Sequence, residues 1–261
     1  MAVGCEHCGG VSQGLDIFTL AERPDLEAGV RSLPGAFAEF MHHDAVVGRL
    51  WNRLYAEFAG FQVVVCDGGG GIVAVGHCIP VFWDGTIEGL PAGIDGVLER
   101  GVGDLERGRA PTVVSALQAN VMDAHRGRGL SGAVLVAMKS AAADDVLEAM
   151  IAPVRPTLKD LYPLTPMERY MRWERSDGLP FDPWLRVHRR LGAEMLSVAP
   201  ESMVIEGTIS EWEGWTDMRF PESGQYVVQG ALQPVTMDLE RDLGVYTEPN
   251  VWMRHPVTEE D

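Results

Sequence analysis

The sequence predicts an α/β protein built around one mixed sheet whose strands are not all parallel. Short runs rich in valine, isoleucine and other β-forming residues alternate with longer runs whose apolar residues follow a helical period. Two β-rich runs within "FQVVVCDGGGGIVAVGHCIPVFWD" (61–84) enclose four glycines, which predicts an antiparallel hairpin. No linker divides the chain, and we expect a single domain over 14–261 after a flexible tail at 1–13.

Each further element is predicted from its local pattern. The segment 129–144 shows a helical pattern with one apolar face: Leu130, Val134, Leu135 and Met138. Other helices are predicted at 21–33, 45–60, 93–108, 183–196 and 210–216, the third with interruptions at Gly101 and Gly103. Besides the hairpin, strands are predicted at 16–20, 111–121, 146–154, 202–207, 226–239 and 244–255.

Two segments depart from this regular alternation. The stretch 155–183 contains five prolines and cannot form one straight helix, so it is interpreted as an inserted connection that covers a site. The helix that follows is expected to stop at Gly192. The region 197–261 is rich in β-forming runs and is interpreted as an elaborated C-terminal β region.

The composition excludes several classes of function. With a formal net charge of −17, the chain lacks the basic face that nucleic-acid binding needs, so no nucleic-acid partner is expected. An acidic surface favours cationic substrates such as amines, although it also serves solubility. The sequence shows neither a long apolar run that would span a membrane nor a secretory signal. We expect a cytoplasmic protein without a membrane partner, and we leave a homodimer open.

The four cysteines do not predict a metal site. Cys5 and Cys8 form a C-x-x-C motif with His7 between them, but no second pair of ligands stands at a matching spacing. Cys66 and Cys78 stand alone in strand-like surroundings. No metal is therefore expected.

The stretch "HRGRGLSG" (125–132) is the strongest functional motif, and two interpretations compete for it. From Gly127 it spells G-x-G-x-x-G, the fingerprint of a dinucleotide-binding βαβ unit. That fingerprint begins almost directly after a strand, whereas "MDAHR" (122–126) intervenes here. It also requires an acidic residue at the tip of the next strand, where this chain has Arg155. A nicotinamide-dependent oxidoreductase is therefore the weaker interpretation.

The longer stretch "NVMDAHRGRGLSGAVL" (120–135) resembles the core motif of the GNAT superfamily of N-acetyltransferases, V-x-P-x-x-R-G-x-G-h-G/A. Asp123 stands where proline is common, and Ser131 replaces Gly or Ala. The resemblance covers about 14–196. It implies a mixed, mostly antiparallel central sheet that is splayed at strands 4 and 5 and flanked by helices. It also implies acetyl-CoA, or another acyl-CoA, as co-substrate.

The same resemblance implies where the co-substrate binds. Backbone N–H groups and the positive end of a helix dipole suit the pyrophosphate of coenzyme A. The loop positions that match the motif are Arg126, Gly127, Arg128, Gly129, Leu130 and Ser131. The backbone expected to bind the thioester oxygen belongs to Asn120, Val121 and Met122.

The superfamily's chemistry is a direct attack of an amine on the thioester, which requires proton transfers. His188, four residues before Gly192, stands where the superfamily usually has the tyrosine that protonates the thiolate. A different alignment of this chain with the superfamily's motif gives Tyr162 the role of the acid, and Tyr170 is a third option. The candidates for the base are His77, Asp84 and Glu248, and the candidates for lining a pocket are Trp83, Trp173 and Trp184.

The resemblance therefore implies an acyl-CoA-dependent N-acyltransferase that moves an acetyl group onto the amine of a small molecule. A non-catalytic acyl-CoA-binding sensor or partner module of the same fold is the alternative. The replacement of the usual tyrosine favours that alternative, while the complete phosphate loop suits both.

Overall fold

The computed structural model describes residues 14–35, 37–144 and 147–257, so the predicted tail with Cys5, His7 and Cys8 lies outside the described residues. Within these residues, the sheet contains nine strands: β1 (Leu15–Thr19), β2 (Gln62–Asp67), β3 (Ile72–Val81), β4 (Val113–Val121), β5 (Ala149–Val154), β6 (Glu194–Gly207), β7 (Gly224–Tyr226), β8 (Val235–Asp238) and β9 (Leu243–Pro256). The α-helices are α1 (Glu27–Arg31), α2 (Ala45–Glu57), α3 (Ile94–Arg107), α4 (Leu130–Asp144), α5 (Met167–Tyr170), α6 (Pro183–Arg190) and α7 (Ile209–Thr216).

The strands follow the order β1-β2-β3-β4-β5-β9-β8-β7, and β6 pairs with the second edge of β9. The neighbouring pairs are antiparallel except for β4 and β5, which run parallel. The parallel pairing covers Val113–Ser115 against Ala149–Ile151, and beyond it the described residues pair β4 with β3 alone. The sheet therefore opens between β4 and β5, which confirms the mixed, mostly antiparallel and splayed sheet that was expected.

Helices cover both faces of the sheet. Leu54 of α2 and Leu98 of α3 are buried in the core on one face, whereas Met138 of α4 and Leu185 of α6 are buried on the other. The predicted apolar face of α4 is confirmed by the burial of Leu130, Val134, Leu135 and Met138. None of the helices in the described residues has the length and apolar character needed to cross a lipid bilayer.

Helix α3 runs without interruption from Ile94 to Arg107, so the predicted breaks at Gly101 and Gly103 are wrong. Gly101 faces the sheet, where an added Cβ atom would lie 2.5 Å from Cδ1 of Ile79 and 3.1 Å from the carbonyl oxygen of Pro80. The missing side chain lets the helix approach β3 closely. Tertiary packing thus outweighs the poor helix propensity of glycine at this position.

The chain after β5 differs most from its prediction. Helix α6 ends at Arg190 rather than at 196, because Gly192 takes a left-handed φ of 83° and β6 begins at Glu194. The run 226–239, predicted as strand, is mostly irregular and contains β8 near its end. Strand β9 is 14 residues long, which allows it to pair with β5, β6 and β8.

The proline-rich connection 155–183 is folded from short turns, in agreement with the prediction that it is not one straight helix. It contains a 3₁₀ turn at Lys159–Leu161 and the single-turn helix α5. Asp182 begins α6 by accepting the N–H groups of Trp184, at 2.9 Å, and Leu185, at 3.2 Å. This cap fixes the end of the connection against the sheet.

Candidate active site

The opening between β4 and β5 begins beside a bulge in β4. The register of β4 against β3 shifts between His77 and Cys78, which makes Leu117 an extra residue on β4. This bulge comes shortly after Ser115, the last residue of β4 that is paired with β5. Because a bulge bends its strand, it accounts for the point at which β4 turns away from β5.

The end of β4 presents some of its backbone to the opening. The N–H of Met122 donates to the carbonyl oxygen of Val73 at 3.0 Å, so it is not available to a ligand. Successive residues of a strand direct their backbone groups to opposite edges. The backbone of Asn120 therefore also faces β3, whereas that of Val121 faces the opening. The side chain of Asn120 donates to the carbonyl oxygen of Pro34 at 3.4 Å.

The glycine loop connects β4 to α4 on one side of the opening. Gly127 and Gly129 have φ values of 76° and 77°, in the left-handed region that favours glycine. The N–H of Gly132 donates to the carbonyl oxygen of Gly129 at 3.0 Å. The N–H groups of Leu130 and Ser131 belong to the first turn of α4, which leaves them without intrahelical partners. Such free N–H groups at a helix N-terminus form a ready site for a phosphate.

Two arginines add positive charge to this loop. Arg126 pairs with Asp123 at 2.9 Å, and its Nε lies 3.4 Å from the carbonyl oxygen of Val121. Arg126 and Arg128 are both exposed, so their charge lies at the surface of the loop. An anion bound at the N-terminus of α4 would meet this charge from the solvent side.

A buried carboxylate lies on the other side of the opening. Glu248 of β9 is 1% exposed, and its two oxygens lie 2.9 and 3.1 Å from Nε of Arg155. It also accepts hydrogen bonds from the hydroxyl of Tyr246, at 3.1 Å, and from Nδ2 of Asn250, at 3.4 Å. Burial raises the pKa of Glu248, and the charge of Arg155 opposes this rise without cancelling it. The carboxylate is thus fixed in position and has an increased affinity for a proton.

Glu248 lies where one edge of β9 is unpaired. Strand β8 pairs with β9 as far as Val245, and β5 pairs with it from Val251 onward. On that edge the intervening residues 246–250 have no strand partner in the described part of the chain. Arg155, which holds Glu248, directly follows the last residue of β5. The carboxylate is therefore placed beside the diverging end of β5.

The surroundings of Glu248 include an unused acceptor and an aromatic cover. The Oδ1 atom of Asn250 is buried and finds no hydrogen-bond partner among residues 14–35, 37–144 and 147–257. The guanidinium of Arg155 lies 5.8 Å from the ring centre of Phe37, and Phe40 packs edge-on against Tyr246 with 5.3 Å between ring centres. Arg155, Tyr246 and Asn250 were not predicted as site residues. Tyr246 and Asn250 stand at alternate positions of the apolar strand β9 with Glu248, and this alternation is a signal in the sequence, whereas Arg155 follows β5 and has no such signal.

The other candidates for the base lie in different environments. His77 is buried, with Nδ1 3.0 Å from Oε1 of Gln62 and its ring edge-on to two aromatic rings of α2. Burial lowers the pKa of His77 to about 4, so the ring is a neutral part of the core. Asp84 accepts hydrogen bonds from the N–H and the hydroxyl of Thr86, at 3.0 and 2.8 Å, which is the geometry of a turn.

His188 of α6 lies away from the opening. It is 1% exposed, and its Nδ1 is 2.8 Å from Nε2 of His255 on β9. Burial and the neighbouring His255 lower the pKa of His188 well below its usual value. His255 pairs with Met150 near the start of β5, where β4 and β5 are still joined. This histidine pair therefore belongs to the closed end of the sheet.

The two tyrosines proposed as acids lie in one aromatic cluster, together with Trp173 and Phe181. Tyr170 is buried and donates its hydroxyl to Asp182 at 3.0 Å. Tyr162 is half-buried, and its hydroxyl makes no hydrogen bond to the described residues. Of the two hydroxyls, that of Tyr162 is the one free to meet a ligand.

The remaining predicted residues have structural contacts. Trp83 donates Nε1 to the carbonyl oxygen of Thr86 at 2.7 Å, and Trp184 packs edge-on against His188. Cys66 and Cys78 are buried free thiols in β2 and β3. Within the part of the chain that the structure describes, no three His, Cys, Asp or Glu side chains are grouped so that they could hold a metal ion.

Comparison with known proteins adds a relative of nearly the same length. The chain is 29% identical over 276 aligned positions to arginine N-acetyltransferase avaD of Aspergillus versicolor, and the alignment covers 94% of each chain. No protein-family model matches the chain.

Two solved structures are similar to the chain. The loading GNATL domain of CurA from Lyngbya majuscula has a TM-score of 0.55 at 14% identity, with 94% of this chain and 98% of that domain covered. The GNAT-like decarboxylase GphF, solved with isobutyryl-CoA, has a TM-score of 0.49 at 16% identity, with coverage of 94% and 100%. The fold is therefore that of a GNAT-type domain. Over 94% of its length, the chain is also similar to a protein named as an N-acetyltransferase.

Proposed function

We propose that the protein acetylates the amine of a small molecule, with acetyl-CoA bound in the opening between β4 and β5. The observation that carries this proposal is the placement of two different groups beside one gap in the sheet. A loop with the geometry of a phosphate site lies at the end of β4. The buried carboxylate of Glu248 lies at the end of β5. A co-substrate site and a proton acceptor thus border the same opening.

The pyrophosphate is assigned to the glycine loop. Gly127 and Gly129 let the backbone approach it, and the N–H groups of Leu130 and Ser131 donate to it. The pantetheine arm then follows the unpaired edge of β4, where the backbone of Val121 faces the opening. This path brings the thioester toward the closed end of the gap, between the two strands.

The reaction is a direct transfer without an acyl-enzyme. The amine nitrogen attacks the thioester carbon, and its proton passes to Glu248. The C–S bond then breaks with its electron pair on sulfur, and the thiolate takes a proton from Tyr162. A raised pKa suits Glu248 to this role, because a base is most effective when its pKa approaches the working pH. Oδ1 of Asn250 supplies a second acceptor for the N–H groups of the amine.

The full-length relative supports the choice of acceptor. Its name gives arginine as the molecule that it acetylates. We infer that the acceptor of this chain is a small amine of comparable size. A small acceptor is also consistent with the cavity of about 600 Å³ that lies beside the cluster around Arg155.

The test is the release of free CoA thiol from acetyl-CoA in the presence of a panel of amines that includes arginine and agmatine. We expect release that depends on the amine, together with an acetylated product in the mass spectrum. Tight binding of acetyl-CoA without release across the panel would instead support the non-catalytic sensor. Release without an acetylated amine would show hydrolysis and contradict the proposal.

The cytoplasmic location and the homodimer stay predictions. Cell fractionation tests the location, and size-exclusion chromatography with light scattering tests the oligomeric state. Neither result changes the assignment of the opening.

A further inference from the structure

We propose that Lys159 is a positioning residue, whose ammonium group fixes the turn 159–162 to the segment 230–233 beside the opening. The inference rests on the proposed function, because that function gives Tyr162 and Glu248 their roles as acid and base. It follows from the burial of Lys159, from the two carbonyl oxygens that its Nζ atom binds, and from the contacts that lead from one of them to Glu248.

Lys159 carries a buried charge without a counter-ion. The residue is 1% exposed, and within the described residues its Nζ atom forms no ion pair with a carboxylate. Removing an unpaired ammonium group from water is costly. Burial lowers the pKa of Lys159 to about 8, and the charge of the adjacent Asp160 opposes this change. The fold thus keeps a charge here at a cost in stability, which indicates a role that an apolar side chain could not fill.

The Nζ atom of Lys159 joins two separate parts of the backbone. It donates to the carbonyl oxygen of Tyr162 at 2.9 Å and also to the carbonyl oxygen of Leu232. In return, the N–H of Tyr162 donates to the carbonyl oxygen of Lys159 at 2.9 Å, which closes the turn 159–162. Hydrogen bonds from an ionised donor are roughly twice as strong as those from a neutral one. The ammonium group therefore holds this turn firmly against the segment 230–233.

The contact with Leu232 leads on to Glu248. The N–H of Leu232 donates to the hydroxyl oxygen of Tyr246 at 2.8 Å, and that hydroxyl donates to Glu248 at 3.1 Å. Leu232 thus binds Lys159 through its carbonyl oxygen and Tyr246 through its N–H group. Lys159 is connected to the backbone of the proposed acid by a direct hydrogen bond, and to the proposed base by three hydrogen bonds in series.

Side chains, rather than a strand pairing, determine where the segment 230–233 lies, because it belongs to no helix or strand. Nη2 of Arg155 donates to the carbonyl oxygen of Gly230 at 2.5 Å. Nε2 of Gln233 donates to the carbonyl oxygen of Thr247 on β9, also at 2.5 Å. These two contacts hold the segment to the ends of β5 and β9. Lys159 adds the connection to the turn that carries the proposed acid.

The surroundings of Lys159 contain few groups that could change its charge. Asp160 precedes the rest of the turn, and its charge favours the protonated form. The ring centre of Tyr170 lies 5.8 Å from Nζ, and the hydroxyl of Tyr170 donates to Asp182 at 3.0 Å. The other titratable or charged groups nearby are those of the site, namely Tyr162, Tyr246, Glu248 and Arg155. Lys159 is thus protonated at neutral pH and loses its proton as the pH rises through about 8.

Lys159→Met tests the positioning role, because methionine has a similar length and neither a charge nor a donor. We expect kcat to fall about 10-fold, while KM for acetyl-CoA changes less than about 2-fold. The melting temperature should stay the same or rise, since an apolar residue often replaces a buried charge without loss of stability. Lys139→Met, which changes the only other lysine of the sequence, is the matched control and should preserve kcat. A kcat within about 2-fold of the wild type for Lys159→Met would overturn the inference.

The pH profile of kcat is a readout that a merely structural residue would not move. Loss of the proton leaves a neutral amine, whose hydrogen bonds to the two carbonyl oxygens are weaker. For the wild type, we therefore expect kcat to fall about 5-fold or more as the pH rises through about 8. Lys159→Met should lack this fall, and Lys159→Arg, which stays charged, should keep its kcat up to pH 9. A fall with the same midpoint in both variants would overturn the inference.

A titration without turnover keeps this inference separate from the proposed function. The sequence has two lysines and five tyrosines, so the NMR signals of protein labelled with ¹³C-lysine and ¹³C-tyrosine can be assigned by single substitutions. We expect the signals of Tyr162 and Tyr246 to move with the same midpoint as that of Lys159, and to stay in place in Lys159→Met. If no amine is acetylated, the proposed function fails, but this result still supports the positioning of both groups. Tyrosine signals that do not respond when Lys159 titrates would overturn the inference.

Discussion

Glu248→Gln tests the proton acceptor at the scale of one residue. Glutamine keeps the size of the side chain and can still accept from Nε of Arg155, but it cannot take a proton. We expect kcat to fall about 100-fold or more, while KM for acetyl-CoA changes little. Glu206→Gln, at an exposed position of the neighbouring β6, is the matched control. A near-normal kcat for the Glu248 variant, measured as thiol release, would remove this residue from the mechanism.

The general acid is tested by comparing two variants. Tyr162→Phe removes a hydroxyl that is free to meet the thiolate, and we expect kcat to fall about 10- to 100-fold. His188→Phe changes a buried pair at the closed end of the sheet. It should leave the kcat of the folded protein within about 2-fold, even if the melting temperature falls. The opposite pattern would return the role to His188.

A site residue can be predicted from the sequence when it belongs to a continuous motif, and not when only long-range pairing places it in the site. The loop from Arg126 to Ser131 is a continuous motif, so its glycines and the following helix could be predicted directly. Glu248 was a candidate base from the sequence, but its partners Tyr246 and Asn250 can be recognised only once β9 is seen to span the ends of β5 and β8. Arg155 stands where the dinucleotide fingerprint requires an acidic residue. The same long-range pairing brings it to Glu248.

Among the elements, the glycine loop is tested by Gly127→Ala. A Cβ atom there meets open space, so the cost comes from the left-handed φ of 76° alone. This strain of about 1 kcal/mol favours other conformations of the free loop, which acetyl-CoA must reverse on binding, so we expect its KM to rise by up to about 5-fold. Gly48→Ala in α2, which also meets open space, is the control and should stabilise the fold by up to about 1 kcal/mol without changing KM. An unchanged KM for Gly127→Ala would separate the loop from the co-substrate.

Two helices and a strand are joined by a pair of carboxyls. Asp44 caps α2 by accepting the N–H of Val47 at 2.8 Å, and Asp95 of α3 accepts the N–H of Val204 on β6 at 3.1 Å. Each carboxyl has one further oxygen that is buried and unpartnered in the described residues. Burial, and then the charge of Asp44, raises the pKa of Asp95 to about 7. Below about pH 7, a proton on Asp95 lets its carboxyl donate a hydrogen bond to the carboxyl of Asp44, which favours the joining of these elements.

This pair predicts that Asp95→Asn stabilises the protein at pH 8. A raised pKa means that the folded state binds a proton which the unfolded chain releases near pH 4, so stability falls as the pH rises from about 4 to about 7. Asparagine can accept from Val204 and donate to Asp44 without that proton. Because the pair is not fully buried, we expect a gain of about 1 kcal/mol at pH 8. Denaturant unfolding at pH 5 and pH 8 measures it, and a loss of stability at pH 8 would contradict the proton on Asp95.

Element boundaries show a second limit of local sequence patterns. Gly101 and Gly103 predict a break in α3 from propensity alone, but the helix continues because β3 lies against Gly101. Gly192 was expected to end α6, and the helix in fact ends two residues earlier, at Arg190, with β6 beginning at Glu194. The packing partner decides the case of α3, and a window of sequence around Gly101 does not contain it, whereas Gly192 ends α6 locally through its left-handed φ.

At the scale of the whole molecule, the order of the strands in the sheet cannot be predicted from local sequence patterns. Alternating strands and helices predict a mixed sheet, whereas the position of β9 between β5 and β8 depends on contacts far apart in the chain. The splay between β4 and β5 was predicted from the resemblance of 120–135 to a superfamily motif, and not from local patterns. No motif indicated the pairing of β7 with β8 near the C-terminus. The predicted strand at 226–239 is therefore much longer than β8, the strand that the structure has there.

The opening divides the sheet into β1–β4 and the remaining strands, which a short parallel pairing between β4 and β5 joins. A ligand that runs along the opening adds contacts between these two parts and must therefore stabilise the whole fold. At about 100 times its Kd, acetyl-CoA should contribute about 2.7 kcal/mol, which raises the melting temperature of a chain of this size by roughly 5–10 °C.

NAD⁺ at the same concentration is the matched comparison, because it also carries a pyrophosphate and an adenosine. The glycine loop alone would accept the pyrophosphate of either molecule. The residue at the tip of β5 is Arg155, whereas a dinucleotide fold needs a carboxylate at that position of the chain for the ribose. We therefore expect little protection by NAD⁺. If NAD⁺ but not acetyl-CoA raises the melting temperature, the glycine loop binds a dinucleotide, and the opening between β4 and β5 is not the site of acetyl-CoA.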